Sequence, residues 1–223
     1  HTLRRTQRHH PKRGRRYIKR NTLMSQEILK SLFTVAPSET RLEELDALAA
    51  LLNVHSKDGL AVNFICTHNS RRSHFSEVLF RTAAKYYGHE NVETFSGGTE
   101  GTALYPEVAE SFKRHGFTAV KDLVAHNPNW QIFHPLLESE HNTPFLFSKA
   151  YDHAPNPSSG YVAIMVCDSA NEACPVVVGA AARFPLTFMD PKRSDGTPEC
   201  RAVYDATLKE IAAEMGYLAR QLT

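Results

Sequence analysis

The sequence contains no apolar run of about 18 residues or more, so no segment is long enough to cross a bilayer as a helix. Cysteine is scarce. The four present, Cys66, Cys167, Cys174 and Cys200, are too few in 223 residues for a disulfide scaffold. No secretory h-region precedes them. Thiols this sparse fit a reducing, cytoplasmic setting, where a paired cysteine is more often catalytic or metal-binding than structural. Metal is disfavoured in turn, because no second Cys or His pair stands at zinc-ligand spacing. There is also no internal repeat. These absences point to a soluble protein with neither a membrane nor a metal partner.

Acidic residues are absent from residues 1–23, which carry nine Lys or Arg. The formal charge of +2 therefore averages two unlike pieces. Removing those nine from the 26 basic residues leaves 17 against 24 acidic ones, a net of −7. A body of that sign is not built to neutralise phosphates, so nucleic acid is not expected as a partner. The basic leader has three readings: an extension ahead of a start at Met24, an Arg-rich organelle transit segment, or a disordered nucleic-acid arm. It is set outside the fold, as disordered or extraneous. Residues 24–58 are read as a helical extension and 59–223 as the principal domain.

Hydrophobic residues make up 42% of the chain, enough for an ordinary core. Thr40 and Glu43 have the spacing of a capping box, opening a helix with Leu42, Leu45, Leu48, Leu51 and Leu52 on one side. Leu60 to Ile65 reads as a central strand. A polar loop follows, and then a helix with Phe75, Val78, Leu79 and Ala83 in phase, stopped by Gly88. A second strand is expected from Val92 to Phe95, ended by Gly97 and Gly98. Pro106 suits the first turn of the next helix. Residues 121–159, rich in Pro, His and Asn, read as loop with a short helix or two. Tyr161 to Cys167 is the clearest strand, Arg183 to Leu186 is a candidate for another, and Pro198 to Leu222 has helical period. Strands alternating with helices predict an α/β sandwich around a mainly parallel sheet.

One constellation carries chemistry: Cys66-Thr67-His68-Asn69-Ser70-Arg71-Arg72-Ser73, a C-x5-R-S motif between a strand and a helix. A loop feeding a helix N-terminus turns several N–H groups into one concavity, and the helix dipole adds positive potential. A tetrahedral oxyanion suits that concavity, and the planar fork of Arg72 can hold two of its oxygens. The same field favours a thiolate nucleophile at Cys66, to which Ser73 can donate. A bare cysteine at a strand end is more often a buried core residue. The flanking strand and helix, together with Ser73, argue for function. Far downstream, Asp190-Pro191 reads alone as a turn. Paired with the cysteine loop, Asp190 is a candidate proton donor to the departing oxygen.

From Leu60 onward, these motifs resemble the low-molecular-weight protein tyrosine phosphatase superfamily, with C-x5-R-S early, Asp-Pro late and a four-stranded parallel sheet. Phe95-Ser96-Gly97-Gly98-Thr99 is similar to the family's Ser-Ala-Gly-Thr segment, which implies that Ser96 braces Asn69. The resemblance thus implies a three-layer sandwich, here with an extra N-terminal helix. It also implies an oxyanion site formed by Thr67, His68, Asn69, Ser70, Arg71 and Arg72, and no cofactor.

Within the superfamily, the segment Cys167-Asp168-Ser169-Ala170-Asn171-Glu172-Ala173-Cys174-Pro175 resembles that of the thioredoxin-coupled arsenate reductases. That resemblance implies a relay from Cys66 to Cys167 to Cys174, with thioredoxin as reductant and arsenate as substrate. Lys192 and Arg193 follow Asp-Pro where the phosphatases usually carry tyrosines, which also favours a small oxyanion. Two alternatives stay open: a phosphatase acting on phosphotyrosine or small phosphoesters, and a non-catalytic oxyanion-binding or redox-sensing module. Cys167 and Cys174 also have a plain reading, as core and incidental residues.

Overall fold

The computed structural model describes residues 11–174 and 176–223, with side chains described from residue 22 onward. Residues 1–10 of the basic leader lie outside the described residues.

Four parallel strands form the central sheet: β1 (Leu60–Cys66), β2 (Val92–Gly98), β5 (Tyr161–Met165) and β6 (Ala180–Pro185), in the spatial order β2-β1-β5-β6. β1 and β5 are central and read as near-continuous apolar runs, as strands covered on both faces should. Their side chains from Val62 to Ile65 and from Tyr161 to Met165 are buried, including Asn63, whose Nδ2 donates to Tyr151 O at 3.1 Å. Strand order reverses beside β1, so the loop after β1 opens at the carboxyl edge of the sheet, where ligands of open α/β sheets bind.

Helix α3 (Arg72–Tyr86) crosses from β1 to β2 and packs against both and against α6 (Cys200–Arg220). It is buried from Ser73 to Ala84 on all sides, so its polar residues sit inside the protein. Gly88 ends it at φ +87°, a backbone region that suits glycine, while His89 N–H donates to Ala84 O at 2.9 Å. Helix α4 (Pro106–Arg114) begins with Pro106 in its first turn and also leans on α6.

The N-terminal region differs from the expectation in two ways. Helix α1 runs from Pro11 to Phe33, straight through Met24, so residues 11–23 are helical rather than a detached leader. The helix expected near Thr40 exists as α2 (Leu42–His55), but the capping box does not form. Ser38 and Thr40 bond each other at 2.9 Å in a 3-10 turn over Glu39–Arg41, and no side chain caps α2. The turn is fixed instead by Arg41, whose Nε and Nη2 grip Glu214 of α6 at 2.8 and 2.9 Å.

Both helices pack chiefly on α6, adding a layer outside it. A methyl group at Gly216 would come within 2.4 Å of Phe33 O, so the small residue is what lets α1 approach. Leu45, Leu48 and Leu52 are fully buried, each contributing about 1.5–3 kcal/mol. Leu29, Leu32 and Phe33 of α1 and these leucines of α2 are therefore part of the core.

Residues 121–159 also depart from expectation. They hold no helix; the segment enters as an antiparallel hairpin, β3 (Thr118–Lys121) with β4 (Trp130–Phe133). The connecting turn is pinned by Asp122, which accepts from the main chain of Val124 and Asn129 and from the Asn129 side chain. At the other end of the segment, residues 149–151 run alongside the end of β2, where Gly98 N–H donates to Lys149 O and Tyr151 N–H to Gly98 O, both at 2.9 Å. β2 accordingly includes Gly97 and Gly98 instead of stopping before them. A short helix α5 (Asp168–Ala173) follows β5.

Candidate active site

Cys66 ends β1, and Arg72 begins α3. Between them the chain folds into a tight arch whose carbonyl groups are nearly all accounted for on its outer side. Thr99 N–H donates to Cys66 O, Glu100 N–H to Thr67 O and Tyr105 N–H to Ser70 O, each at 3.0 Å. His68 O accepts from Thr102 Oγ1 at 3.1 Å and from Ser148 Oγ at 2.9 Å. Among the described bonds, none of the N–H groups of residues 67–71 is a donor. With the carbonyls turned out, these amides are left for a ligand, which is how a backbone arch becomes an anion cradle.

Asn69 sits at the strained point of the arch, with φ +45°. Its side chain holds that conformation through three bonds. Nδ2 donates to Ser73 Oγ at 2.9 Å and to Ser96 Oγ at 3.0 Å, and Oδ1 accepts from Lys149 N–H at 2.9 Å. Gly98 backs the arch: a methyl group there would lie 2.2 Å from Glu100 O, 2.6 Å from Thr67 O and 2.8 Å from Asn69 N. The first contact alone is impossible, so no larger residue fits. Gly97 is similarly closed in by Tyr151.

Cys66 Sγ lies 3.1 Å from Ser73 Oγ. Because Ser73 already accepts from Asn69, its own proton is available to the sulfur, as a thiolate would require. Arg72 projects across the cleft, with Nη1 on Phe188 O at 2.8 Å and Nη2 on Asp190 Oδ2 at 2.7 Å. The other Asp190 oxygen accepts from Lys192 N–H at 3.0 Å and caps the 3-10 turn Pro191–Ser194. Cys66, Thr67, His68, Ser70, Arg71, Arg72 and Asp190 together line one small cleft. The sulfur, the guanidinium, the amides and the carboxylate thus meet, although Asp190 stands 118 residues after Arg72 in the chain.

The side chains of two loop residues are also engaged within the protein. The Arg71 guanidinium has three partners: Nε donates to Tyr204 OH at 2.6 Å, Nη2 pairs with Asp195 Oδ2 at 2.5 Å, and the group lies 4.2 Å above the Tyr105 ring. Tyr204 OH donates to Asp195 Oδ1 at 2.7 Å. Burial, reinforced by Asp195, holds that phenol well above its ordinary pKa, so it remains a donor. Arg71 therefore fastens the arch to α6 and to the turn after Asp190. His68, half-exposed, faces Glu100 with Nε2 3.0 Å from Oε1.

Cys167 is buried at the first turn of α5 and caps it, its Sγ accepting from Ala170 N–H at 3.4 Å. The same sulfur lies 3.5 Å from Thr67 Oγ1 in the cysteine loop. Cys174 stands at the far end of the helix, half-buried. Its carbonyl is bonded by Arg183 Nε at 3.0 Å, and the Arg183 Nη2 reaches Asn171 O at 2.7 Å. Pro175, which follows it, is outside the described residues. Cys200 begins α6, away from this group.

Sequence reasoning missed the polar layer beneath the arch. His74 is fully buried, with Nδ1 3.2 Å from Ser96 Oγ, and burial lowers its pKa to about 3. Glu77 and Lys149 are buried beside it; desolvation pushes the carboxyl up and the ammonium down. A helix buried all round has no polar face to read, and Lys149 arrives from the segment with the weakest pattern. Among the described residues, no cluster of His, Cys, Asp or Glu is arranged to hold a metal, and no helix is long and apolar enough to cross a membrane.

Residues 61–133 match the family model described as low molecular weight phosphotyrosine protein phosphatase. No curated protein matches the chain. Similar solved structures include a low molecular weight protein tyrosine phosphatase from T. tengcongensis, 18% identical, with 73% of this chain and 97% of that one covered and a TM-score of 0.45. An arsenate reductase from Archaeoglobus fulgidus is 19% identical over 71% of this chain and 98% of that one, with a TM-score of 0.40. A thioredoxin-dependent arsenate reductase from Corynebacterium glutamicum is 18% identical over 88% of this chain and 83% of that one, with a TM-score of 0.37. Likenesses this distant carry no argument about activity. The stretch similar to that family, residues 61–133, contains the whole cysteine arch and its Gly-Gly backing.

Proposed function

We propose that the protein reduces arsenate to arsenite, using Cys66 as nucleophile and Cys167 as the thiol that resolves the adduct. The observation that carries this reading is a second buried sulfur at the cysteine loop, 3.5 Å from Thr67 Oγ1. The β1–β5 ladder pairs Ile65 with Met165, and Val166 N–H donates to Ile65 O at 2.9 Å. Cys66 and Cys167 therefore end adjacent strands one residue out of register. Strand spacing and rise put their Cα atoms about 6 Å apart, within the range of about 4.4–6.8 Å that a disulfide spans.

The chemistry proceeds in balanced steps. The Cys66 thiolate attacks arsenic, the amides of residues 67–71 and Arg72 hold the oxyanion, and one arsenate oxygen leaves as water after receiving a proton from Asp190. An entering oxyanion exchanges Arg72 away from Asp190, which frees the fork and the acid together. The Cys167 thiolate then attacks Cys66 Sγ. A sulfur–sulfur bond forms, the sulfur–arsenic bond breaks, and its electron pair remains on arsenic, which departs as arsenite.

Cys174 would next attack Cys167, regenerate the Cys66 thiolate and leave a Cys167–Cys174 disulfide for thioredoxin to reduce. The six residues of α5 lie between Cys167 and Cys174, and helical rise puts their Cα atoms about 10 Å apart, too far for a disulfide. This last step requires α5 to unwind.

The test is consumption of NADPH by the reduced protein with arsenate, thioredoxin and thioredoxin reductase. Consumption that is lost in both Cys66→Ser and Cys174→Ser supports the reductase and its relay. Full turnover by Cys174→Ser would remove Cys174 from the scheme. The Arg72–Asp190 pair at 2.7 Å is the observation favouring a second reading, a phosphatase in which water resolves a phosphocysteine. Substantial hydrolysis of an aryl phosphate, unaffected by Cys167→Ser and without arsenate-dependent NADPH loss, would establish that reading instead.

A further inference from the structure

Asn127 is a backbone outlier with no part in the chemistry at Cys66. Its φ is +50°, in the left-handed region that residues other than glycine seldom adopt. It also stands directly before Pro128, a position that steers a residue toward extended backbone. Among the described residues, the one other non-glycine residue with positive φ is Asn69, in the cysteine arch. Strain of this kind persists only where the surroundings over-determine it, and it gathers at working sites.

What holds Asn127 is Ser148, which is only 3% exposed. The Asn127 amide lies against the Ser148 main chain: Nδ2 donates to Ser148 O at 2.8 Å, and Oδ1 accepts from Ser148 N–H at 2.9 Å. Both main-chain polar groups of Ser148 are thus taken by one side chain. The Ser148 hydroxyl is engaged on the arch. It accepts from Thr102 N–H at 2.7 Å, and its single proton goes to His68 O at 2.9 Å. The next residue continues the contact, with Lys149 N–H donating to Asn69 Oδ1 at 2.9 Å. Asn127 is therefore the outer anchor of a two-residue strap, Ser148–Lys149, that bonds the arch at His68 and Asn69.

This strap bears on the chemistry at the peptide between those two residues. In a planar trans peptide, the C=O and N–H point in opposite directions. Holding His68 O outside the arch accordingly turns the Asn69 N–H inward. Such donors stabilise an oxyanion only if they are aimed before its charge develops. We infer that Asn127 is a positioning residue for the oxyanion cradle, acting through Ser148 on the His68–Asn69 peptide. The role rests on the reading of Cys66 and its arch as an oxyanion site, and it is the same for arsenate and for a phosphoester.

The experiment measures phosphate binding to the full-length protein as protection of Cys66 from alkylation by iodoacetamide, followed on the Cys66 peptide by mass spectrometry. Asn127→Gly removes the clamp without strain, since glycine takes a positive φ freely. It raises the half-protecting phosphate concentration by about fivefold. Asn127→Asp keeps the shape but sets a carboxylate oxygen against Ser148 O, where Nδ2 now donates at 2.8 Å. It weakens phosphate more than Asn127→Gly does. A residue that served only its own turn would rank the two the other way, because aspartate is isosteric and tolerates left-handed backbone. Ser148→Ala cuts the link to His68 and weakens phosphate by about fivefold. The double variant, Asn127→Gly with Ser148→Ala, loses clearly less than the product of the two single losses, because the clamp acts through the residue already cut.

Three results would overturn the inference with the cradle intact: unchanged protection in Asn127→Gly, wild-type affinity in Asn127→Asp, or fully multiplicative losses in the double variant. Absence of phosphate protection in the wild type would instead overturn the cradle, and this role with it. Should Asn127→Asp fail to fold, the cycle of Asn127→Gly with Ser148→Ala decides alone.

Discussion

The cysteine arch and helix α5 both carry thiols, yet they are built in opposite ways. In the arch, the carbonyls of Cys66, Thr67, His68 and Ser70 each have an outside partner, Asn69 is held by three bonds, and Gly98 leaves no slack behind it. Helix α5 has six residues, exposes Asp168, Ser169 and Glu172, and is held by the Cys167 sulfur at one end and Arg183 at the other. An oxyanion cradle works only if its donors are already aimed, because reorganisation during the reaction would consume the stabilisation they provide. A relay works only if its carrier can move. On the proposed reading, the arch and α5 would occupy the stiff and soft ends of the local stability range.

Gly98→Ala would break the stiff half most severely. The added methyl falls on main-chain oxygens of Thr67 and Glu100, which cannot swing aside as a side-chain tip can. Overpacking against backbone costs about 3 kcal/mol or more. The expected outcome is a fall in the unfolding midpoint together with loss of phosphate binding, read by calorimetry. A variant that binds phosphate as the wild type does would show that the arch has slack after all.

Much of this stiffness was legible in the sequence, because it rests on local order. The strand before Cys66, the helix after Arg72 and the two glycines after Ser96 all lie within residues 60–98. The parts that were not legible depend on long-range partners. Nothing near Arg71 in the chain shows that its guanidinium will meet Asp195 and Tyr204, more than 120 residues away. The Thr40–Glu43 pattern looks like a cap until Arg41 finds Glu214. The four-residue strands β3 and β4 carry too little pattern to reveal their pairing. Lys149 belongs to that same segment, and nothing local announces that it will lie beneath the arch.

That buried layer gives a second, smaller handle on the comparison. His74 titrates at about 3 when folded and near 6.5 when unfolded, because burial disfavours its charged form. Between those values the unfolded chain binds the proton and the folded one does not, so this contribution to stability is full above 6.5 and is lost as the pH falls toward 3. Glu77 acts in the opposite sense, since its raised pKa favours the folded state on its acid side. The two are separated by subtraction: the stability of the wild type minus that of His74→Gln should fall steadily from pH 6.5 downward. Amide exchange should loosen around residues 67–74 first, with α5 unchanged. A difference independent of pH would mean that His74 is solvated.

The smallest effect is expected at the soft end. Arg183 reaches from β6 to the carbonyls of Asn171 and Cys174 and satisfies the last turn of α5, which a six-residue helix cannot do alone. Arg183→Leu keeps the apolar stem and removes those bonds, costing about 1 kcal/mol locally. Amide exchange in 168–174 should accelerate by about fivefold, while the arch and phosphate affinity stay as they were. If unwinding of α5 limits the relay, thioredoxin-coupled turnover rises by a similar factor while formation of the Cys66 adduct is unchanged. Faster exchange without faster turnover would place the slow step at the arch. Unchanged exchange would mean that α5 is held by something other than Arg183 and is not the softer of the two regions.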